Sequence, residues 1–269
     1  MTAFNSNGFT LGSHGLGNTD GGTFVGWNWD AGTAATGANN NGTINIASGD
    51  QWVNATAGFS ITKYTSNNTS GATVGHGLNV PPQFIIIKNT EDTNNWHVYH
   101  KDMGNTHGMY LDLTNDSDDD ASLWNDTSPT NTVFSLGNGG GTNNSSSHEY
   151  IAYCWAPIAG YSAFGYYDAN NSADGPSIVL PFKPRWLMIK RTNGNNNWIM
   201  KDTKRYSRNP QESTLLADGN HAETDFDIKI DFLANGFKIR STDNNTNTSG
   251  SHHIYAAFAE NPFKLARAR

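Results

Sequence analysis

The residues best suited to ligand chemistry in this chain are aromatic rings that stand beside amide side chains. Trp96 and Trp198 each follow a pair of asparagines, which Asn94 begins in one case and which in the other includes Asn196. An indole presents a flat apolar face on which a sugar ring can stack, and amides offer both donors and acceptors to hydroxyl groups. The combination is therefore typical of a carbohydrate-binding surface.

Strand alternation changes which of these side chains we expect to meet a ligand. Successive side chains of a strand point to opposite faces, so Trp96 shares a face with Val98, and Trp198 with Met200. An aromatic and aliphatic face predicts a core-facing role for both tryptophans. The better ligand candidates then lie on the opposite face, at His97, Tyr99 and Lys201. Trp124, in a long polar loop, is a further candidate.

An acidic loop offers oxygen ligands to a cation. Asp116, Asp118 and Asp120 have a spacing that begins like a calcium-binding EF-hand loop. However, Ala121 stands where that loop needs glycine, and no glutamate follows at its twelfth position. Calcium is thus the one cofactor that the sequence suggests, and a solvated acidic loop is the alternative.

Catalytic groups are harder to find. A glycoside hydrolase needs two carboxyl groups facing one cleft, and Glu149, Asp202 and Glu260 are scattered along the chain. Cys154 alternates with Ala152 and Ala156, which indicates a small buried side chain rather than a reactive thiol. The sequence therefore predicts a protein that is not an enzyme.

Composition narrows the class of protein. The formal net charge is −7 and only 15% of the 269 residues are charged, which argues against a nucleic-acid groove. A single cysteine excludes a disulfide framework within the chain. We find neither a signal peptide nor an apolar stretch of membrane-spanning length, and we interpret the basic end at 264–269 as a solvated tail.

An internal repeat organises the whole chain. The run Phe84-Ile85-Ile86-Ile87-Lys88 returns as Trp186-Leu187-Met188-Ile189-Lys190, and Asn94-Asn95-Trp96 returns as Asn196-Asn197-Trp198, each 102 residues later. A period of this size indicates a duplicated domain, because solenoid repeats are far shorter. The chain opens with a partial copy, which we predict to form a hairpin within residues 1–34 that packs on a neighbouring domain or subunit.

Alternating apolar residues, polar Gly/Asn/Ser loops and the lack of a sustained 3.6-residue period predict an all-β fold with almost no helix. We expect tandem antiparallel β-sandwiches, with a partial repeat and linker at 1–57, a first sandwich at 58–159 and a second at 160–269. The run at 84–87 is apolar on both faces, which predicts a central strand that is covered on both sides.

A set of motifs resembles a known family. The set comprises Gly58-Phe59-Ser60, Val74-Gly75-His76-Gly77-Leu78, Trp124-Asn125-Asp126, Thr132-Val133-Phe134-Ser135-Leu136-Gly137, Tyr150-Ile151-Ala152-Tyr153-Cys154-Trp155, residues 170–176 and Ala257-Phe258-Ala259-Glu260-Asn261-Pro262-Phe263-Lys264. Together they are similar to a repeat domain of tail-fibre and other virion appendage proteins of marine bacteriophages, cyanophages among them. The resemblance implies a concanavalin-like or laminin-G-like jelly roll that serves in host attachment.

The resulting hypothesis is a virion appendage protein, extracellular on the tail fibre or fibre tip, that binds a host-surface glycan. Its partners would be its own copies, as a homotrimer, and other tail or capsid proteins, with neither nucleic acid nor membrane insertion. Sandwich loops often carry recognition, so we expect contacts from residues 64–73, 114–131, 138–148 and 243–252. A capsid or tail decoration protein acting through subunit contacts and a glycan depolymerase are the alternatives.

Overall fold

The computed structural model describes residues 1–5, 8–35, 41–144 and 147–261. The fold is all-β, as predicted, and its sheets are antiparallel. The helices in these ranges are two short ones of four residues each, α1 at Gly15–Asn18 and α2 at Ala121–Trp124. None of the described helices has the length and apolar character that a membrane crossing requires. The basic tail at 264–269 lies outside the described residues.

The first unit is a sandwich of a large and a small sheet. Its eight-stranded sheet has the order β10-β9-β8-β7-β12-β5-β4-β3, and its two-stranded sheet pairs β11 with β6. The strands are β3 (Thr33–Ala34), β4 (Gln51–Asn54), β5 (Phe59–Thr65), β6 (Ala72–Gly75), β7 (Phe84–Asn89), β8 (His97–His100), β9 (His107–Tyr110), β10 (Asp118–Asp119), β11 (Val133–Leu136) and β12 (Glu149–Trp155).

The second unit repeats this plan with fewer strands in the large sheet. A five-stranded sheet of order β13-β20-β15-β16-β17 accompanies a three-stranded sheet of order β14-β19-β18. The strands are β13 (Ser162–Asp168), β14 (Ser177–Val179), β15 (Pro184–Arg191), β16 (Ile199–Asp202), β17 (Leu215–Leu216), β18 (Ile230–Leu233), β19 (Gly236–Ile239) and β20 (His252–Ala259).

Each sandwich has an apolar core between its own two sheets. In the first unit, Ile85 and Ile87 of the large sheet share a buried cluster with Phe134 and Leu136 of the small sheet. Leu187 and Ile189 occupy the corresponding place in the second unit, together with Phe237 and Ile239. Ile44 and Ile46, which precede the predicted boundary at residue 58, are also buried in the first core, and β4 belongs to the first sheet. Residues 41–57 are thus part of the first sandwich rather than a linker.

A third apolar cluster lies between the two sandwiches. It joins Phe84, Ile86 and Trp155 of the first unit to Trp186, Met188 and Phe258 of the second. These six residues sit on the outer faces of the large sheets, so the units pack sheet face to sheet face. The run at 84–87 is therefore covered on both sides, as predicted. One side is the core of its own sandwich, and the other is the neighbouring unit.

The N-terminal segment differs from the predicted hairpin. Phe9 does not pair with the strand-like residues near Trp27. Instead β2 (Gly8–Thr10) pairs with β1 (Ala3–Asn5), and this hairpin is exposed on both faces, with Phe4 80% exposed. Trp27 and Trp29 follow in a stretch without regular secondary structure and pack against the cluster between the sandwiches. The contact with the domains thus comes from the segment after the hairpin.

Candidate functional site

Most of the ligand candidates named from the sequence lie in the protein interior. Tyr99 and Trp124 belong to the core of the first sandwich, where their rings meet edge to face at 5.6 Å. His97 is buried beside Gly141, and burial lowers the pKa of its imidazole to about 4. Alternation separated the two faces correctly but assigned them the wrong way round, because Tyr99 faces the sandwich core while Val98 belongs to the cluster between the units, and both faces are covered. These three side chains are therefore not positioned to meet a ligand at the surface.

Lys201 is buried and bonds to several backbone groups. Its Nζ donates to the carbonyl oxygens of Ile228 at 2.6 Å, Glu212 at 2.7 Å and Gln211 at 3.1 Å, and to the Thr214 hydroxyl at 2.6 Å. Burial is the main cause that lowers the pKa of the ammonium group to about 7. These bonds tie the long connection between β16 and β18 to the sheet, so the prediction of a ligand-contacting lysine is corrected.

The two asparagine candidates are at the surface but already engaged. Asn94 donates from its amide to the carbonyl of Gly140 at 2.8 Å. Asn196 donates from its backbone nitrogen to Thr114 of the first unit at 2.8 Å, and its side-chain oxygen accepts from Arg191 at 3.4 Å. Both asparagines therefore hold loops in place. Trp198, 1% exposed, is buried as predicted, and Trp96 is half-buried.

The three aspartates of the acidic loop have different structural places. Asp120 is the N-cap of α2 and accepts from the backbone nitrogen of Ser122 at 2.8 Å. Asp118 lies in β10, opposite Gly108, and the backbone nitrogen of Asp116 donates to Asn195 at 3.1 Å. Within the described residues, no group of three His, Cys, Asp or Glu side chains converges as a metal site would require. A helix cap thus accounts for Asp120, and an edge strand places Asp118.

Two of the predicted contact loops are fastened by buried asparagines. In the first unit, Asn143 accepts from the backbone nitrogens of Asn67 and Asn68 and donates to Gly137 and Thr69. Asn247 makes the same set of bonds in the second unit, with residues 170–172 and Ser241. The loops at 138–148 and 243–252 are thereby joined to their neighbours, although residues 145 and 146 lie outside the described part.

A groove lined by tryptophans is the surface feature that best fits a binding site. It has a volume of about 500 Å³ and lies where the segment of Trp27 and Trp29 crosses the second sandwich. Trp27 meets the ring of Trp186 edge to face at 6.1 Å, and Trp29 meets it at 5.4 Å. Both N-terminal indoles remain half-exposed, and Tyr161 adds a further ring to the lining.

Charged side chains surround the rings and hold one of them in place. Asp202 accepts from the Trp27 indole nitrogen at 3.3 Å and from Arg205 Nε at 2.6 Å, while the Arg205 guanidinium lies 5.9 Å from the Trp27 ring centroid. A cation over an indole face is attractive because of the ring quadrupole. Arg185, Lys204 and Glu260 complete the lining with charges that can bond hydroxyl groups.

The carboxylates of the groove do not form a hydrolytic pair. Both oxygens of Asp202 are engaged, Oδ1 by the backbone nitrogens of Lys204 and Arg205, and Oδ2 by Trp27 and the Arg205 guanidinium. Glu260 is paired with Lys183 at 2.9 Å. Asp202 and Glu260 therefore do not offer the two carboxyl groups facing one cleft that a glycoside hydrolase needs.

Sequence reasoning missed this groove although a signal was present. Trp27 and Trp29 are separated by one residue, so in extended chain they share a face, and Asn28 stands between them. We placed the segment in a predicted hairpin whose apolar residues were expected to be covered. Only the packing of this segment on Trp186 and Asp202, about 160 to 175 residues further along, creates the site.

The fold and the groove together define a class of protein, namely two fused, duplicated β-sandwiches with an aromatic groove at the surface. The chain belongs to the family described as a domain of unknown function, DUF7483, whose match spans residues 1–262. The match therefore covers both sandwiches and the N-terminal segment. No curated protein and no solved structure matches the chain.

Proposed function

We propose that this protein is a glycan-binding module that serves in host attachment on a virion appendage. The single observation that supports the glycan part is the groove with two half-exposed indoles, Trp27 and Trp29, and a charged rim. Sugar recognition needs flat apolar faces for the C–H side of the ring and polar groups for its hydroxyls, and the groove combines both. The placement on a virion rests on the sequence resemblance alone.

Binding at one groove is expected to be weak. An open groove of this size buries only part of an oligosaccharide, and each half-exposed ring contributes modestly. Several copies on one appendage would raise the apparent affinity without any new contact, because the second binding event becomes intramolecular. The proposal therefore fits a multivalent attachment protein better than a high-affinity receptor for a single small molecule.

The proposal is tested with purified polysaccharides from host surfaces in affinity electrophoresis and calorimetry. Trp27→Ala should weaken binding by about 5- to 30-fold, because it removes a stacking platform worth about 1 to 2 kcal/mol, whereas Trp27→Phe should retain part of it. Tyr166→Ala is the matched control, since Tyr166 is 59% exposed and lies outside the groove. Unchanged affinity in Trp27→Ala, with the fold intact by circular dichroism, would overturn the assignment to this groove.

A decoration protein that acts through subunit contacts is the second candidate, and the exposed hairpin favours it. Phe4, Phe9, Leu11 and Phe24 are exposed large apolar side chains within the first 24 residues. Such a concentration is typical of a contact surface. If no host polysaccharide binds the wild-type protein, while Phe4→Asp abolishes its assembly with virion components, the decoration function replaces the glycan function.

A further inference from the structure

The two sandwiches are joined by a directional contact between a segment of the first and a set of residues of the second. We call residues 110–117 the docking segment. Its Thr114 carbonyl accepts from the backbone nitrogen of Asn196 at 2.8 Å and from Lys190 Nζ at 3.2 Å. The Tyr110 carbonyl accepts from the Trp198 indole at 2.7 Å, and Ser117 donates from its nitrogen to Thr192 at 2.8 Å. We call Lys190, Thr192, Asn196 and Trp198 the acceptor set, because they receive the docking segment. The name does not refer to the direction of the hydrogen bonds.

The first sandwich carries the same acceptor set in the same places. Exactly matching residue types recur 102 positions earlier, as Lys88, Thr90, Asn94 and Trp96. The two sets differ in burial. Lys190 and Trp198 are buried under the docking segment, whereas Lys88 and Trp96 are half-exposed and Thr90 is exposed. The first sandwich thus presents the same residue types at its surface, where Lys88 Nζ donates to the backbone carbonyls of Asp92 at 3.0 Å and Asn94 at 2.5 Å in its own loop.

The sheet face beside Lys88, Thr90, Asn94 and Trp96 is also continuous with the interface. One row of side chains crosses the outer face of the first sheet through paired positions, in the order Trp52, Ile61, Tyr153, Ile86, Val98 and Met109. Exposure falls along this row, from 38% at Trp52, through half-buried Ile61 and Tyr153, to 7% at Ile86 and 0% at Val98. The second unit covers one end of an apolar row, and the other end is open.

The second sandwich in turn has an exposed counterpart of the docking segment. Asp112 and Asp218 mark equivalent points, because each accepts from the backbone nitrogen of the repeated tryptophan, Trp96 at 3.0 Å and Trp198 at 2.9 Å. Residues 219–223, which follow Asp218, are exposed. The docking segment bonds mainly through backbone atoms, so the different side chains of residues 219–223 do not prevent the same contact.

We propose that residues 219–223 of one copy of this chain dock on Lys88, Thr90, Asn94 and Trp96 of a second copy. The occupant is a second copy because the one partner known to fit this residue set is the equivalent segment of the same repeat. The contact is heterologous, head to tail, and therefore generates a closed ring or an open fibre. It would continue between chains the packing that already joins the two sandwiches within a chain.

The experiment uses the whole chain and four variants in light scattering over a range of concentrations. Trp96→Glu places a charge on the acceptor set of the first sandwich. Thr93→Arg, at an exposed neighbouring position, is a second acceptor variant that leaves the packing intact. Asn220→Arg combined with Ala222→Arg places like charges opposite Lys88 and changes only exposed positions. Asn131→Arg is the matched surface control, and circular dichroism checks each fold.

We expect the mass of the wild type and of Asn131→Arg to rise with concentration above the 29.2 kDa of one chain. Acceptor variants and the donor variant should each stay monomeric. A mixture of Thr93→Arg with Asn220→Arg/Ala222→Arg should form a complex of two chains and stop there, because each keeps one working surface. A wild type that is monomeric up to about 1 mM would overturn the proposal, as would association that survives in the acceptor variants.

Discussion

At the residue scale, burial has changed the chemistry of groups that look reactive in the sequence. His100 is fully buried between the sandwiches, where its Nε2 lies 3.1 Å from the Tyr255 carbonyl and its Nδ1 lies 3.2 Å from the backbone nitrogen of Asp102. Nδ1 therefore accepts while Nε2 donates, which is the pattern of a neutral imidazole. Burial is the main cause that lowers the pKa of His100 to about 4.

This arrangement predicts that the protein loses stability in mild acid. The pKa of His100 is lower in the folded chain than the usual 6.5, so the unfolded chain binds the proton more readily between pH 6.5 and about 4. The contribution is complete above pH 6.5 and is lost as the pH falls towards 4, by up to about 3 kcal/mol. Urea unfolding at several pH values measures this slope, and His100→Gln should reduce it.

His76, His97 and His253 carry pKa values lowered by burial as well, so His100→Gln should reduce the acid slope without abolishing it. His221, which is exposed, provides the control substitution His221→Gln. If the slope in His100→Gln equals that of the wild type, the imidazole of His100 is not a neutral buried group in solution.

At the element scale, the loops of the two sandwiches depend on asparagine side chains that act as backbone partners. Asn143 and Asn247 are both fully buried and each satisfies backbone groups of two separate loops. A buried backbone N–H or C=O group that lacks a hydrogen-bond partner lowers the stability of the fold. At these points the asparagine amide supplies the partner that a neighbouring strand would supply within a sheet. The abundance of asparagine in this chain is therefore partly structural.

We predict that Asn143→Ala and Asn247→Ala each lower the free energy of unfolding by about 2 to 4 kcal/mol, because each leaves several buried backbone groups unpaired. The two sites lie in separate sandwiches, so their effects should add in the double variant. Chemical denaturation followed by tryptophan fluorescence measures both. Asn131→Ala, at an exposed position, should change stability by less than about 0.5 kcal/mol, and an equal effect there would contradict the role of the buried amides.

At the scale of the whole molecule, the two sandwiches share an apolar interface that is built from the outer faces of their large sheets. The neighbouring residues Ile85 and Ile86 illustrate how one strand serves two cores. Ile85 is buried in the core of the first sandwich, and Ile86 is buried in the cluster between the units. Cooperative unfolding of the whole chain should therefore depend on Ile86 and its contacts.

Calorimetry on two neighbouring substitutions separates these roles. Ile86→Asp should split a single thermal transition into two, because it disrupts the interface while the side chains of each sandwich core remain in place. Ile85→Asp, one position away, should instead remove the transition of the first sandwich, since it buries a charge in that core. Two identical profiles would show that the interface and the core are not energetically distinct.

Sequence alone determined the class of fold and its internal duplication. Alternation and the two-sided apolar run at 84–87 predicted antiparallel sheets and a doubly covered strand, because side-chain period and burial are local consequences of strand geometry. It also predicted buried Trp198 and buried Cys154, which the structure confirms. Such features depend on a few neighbouring residues and on the repeat, so they can be read without knowing what packs on them.

Only the tertiary structure decided where the binding surface lies. Strand alternation shows that the side chains of His97 and Trp96 point to opposite faces. It does not show that a sandwich core covers one face and that the second unit covers much of the other. The sequence suggests a metal ligand at Asp120, whereas in the structure this residue is the N-cap of α2. The sequence places Trp27 in a hairpin, whereas in the structure its indole nitrogen donates to Asp202. The physical reason is that burial of a face depends on contacts between distant segments, which local periodicity does not encode.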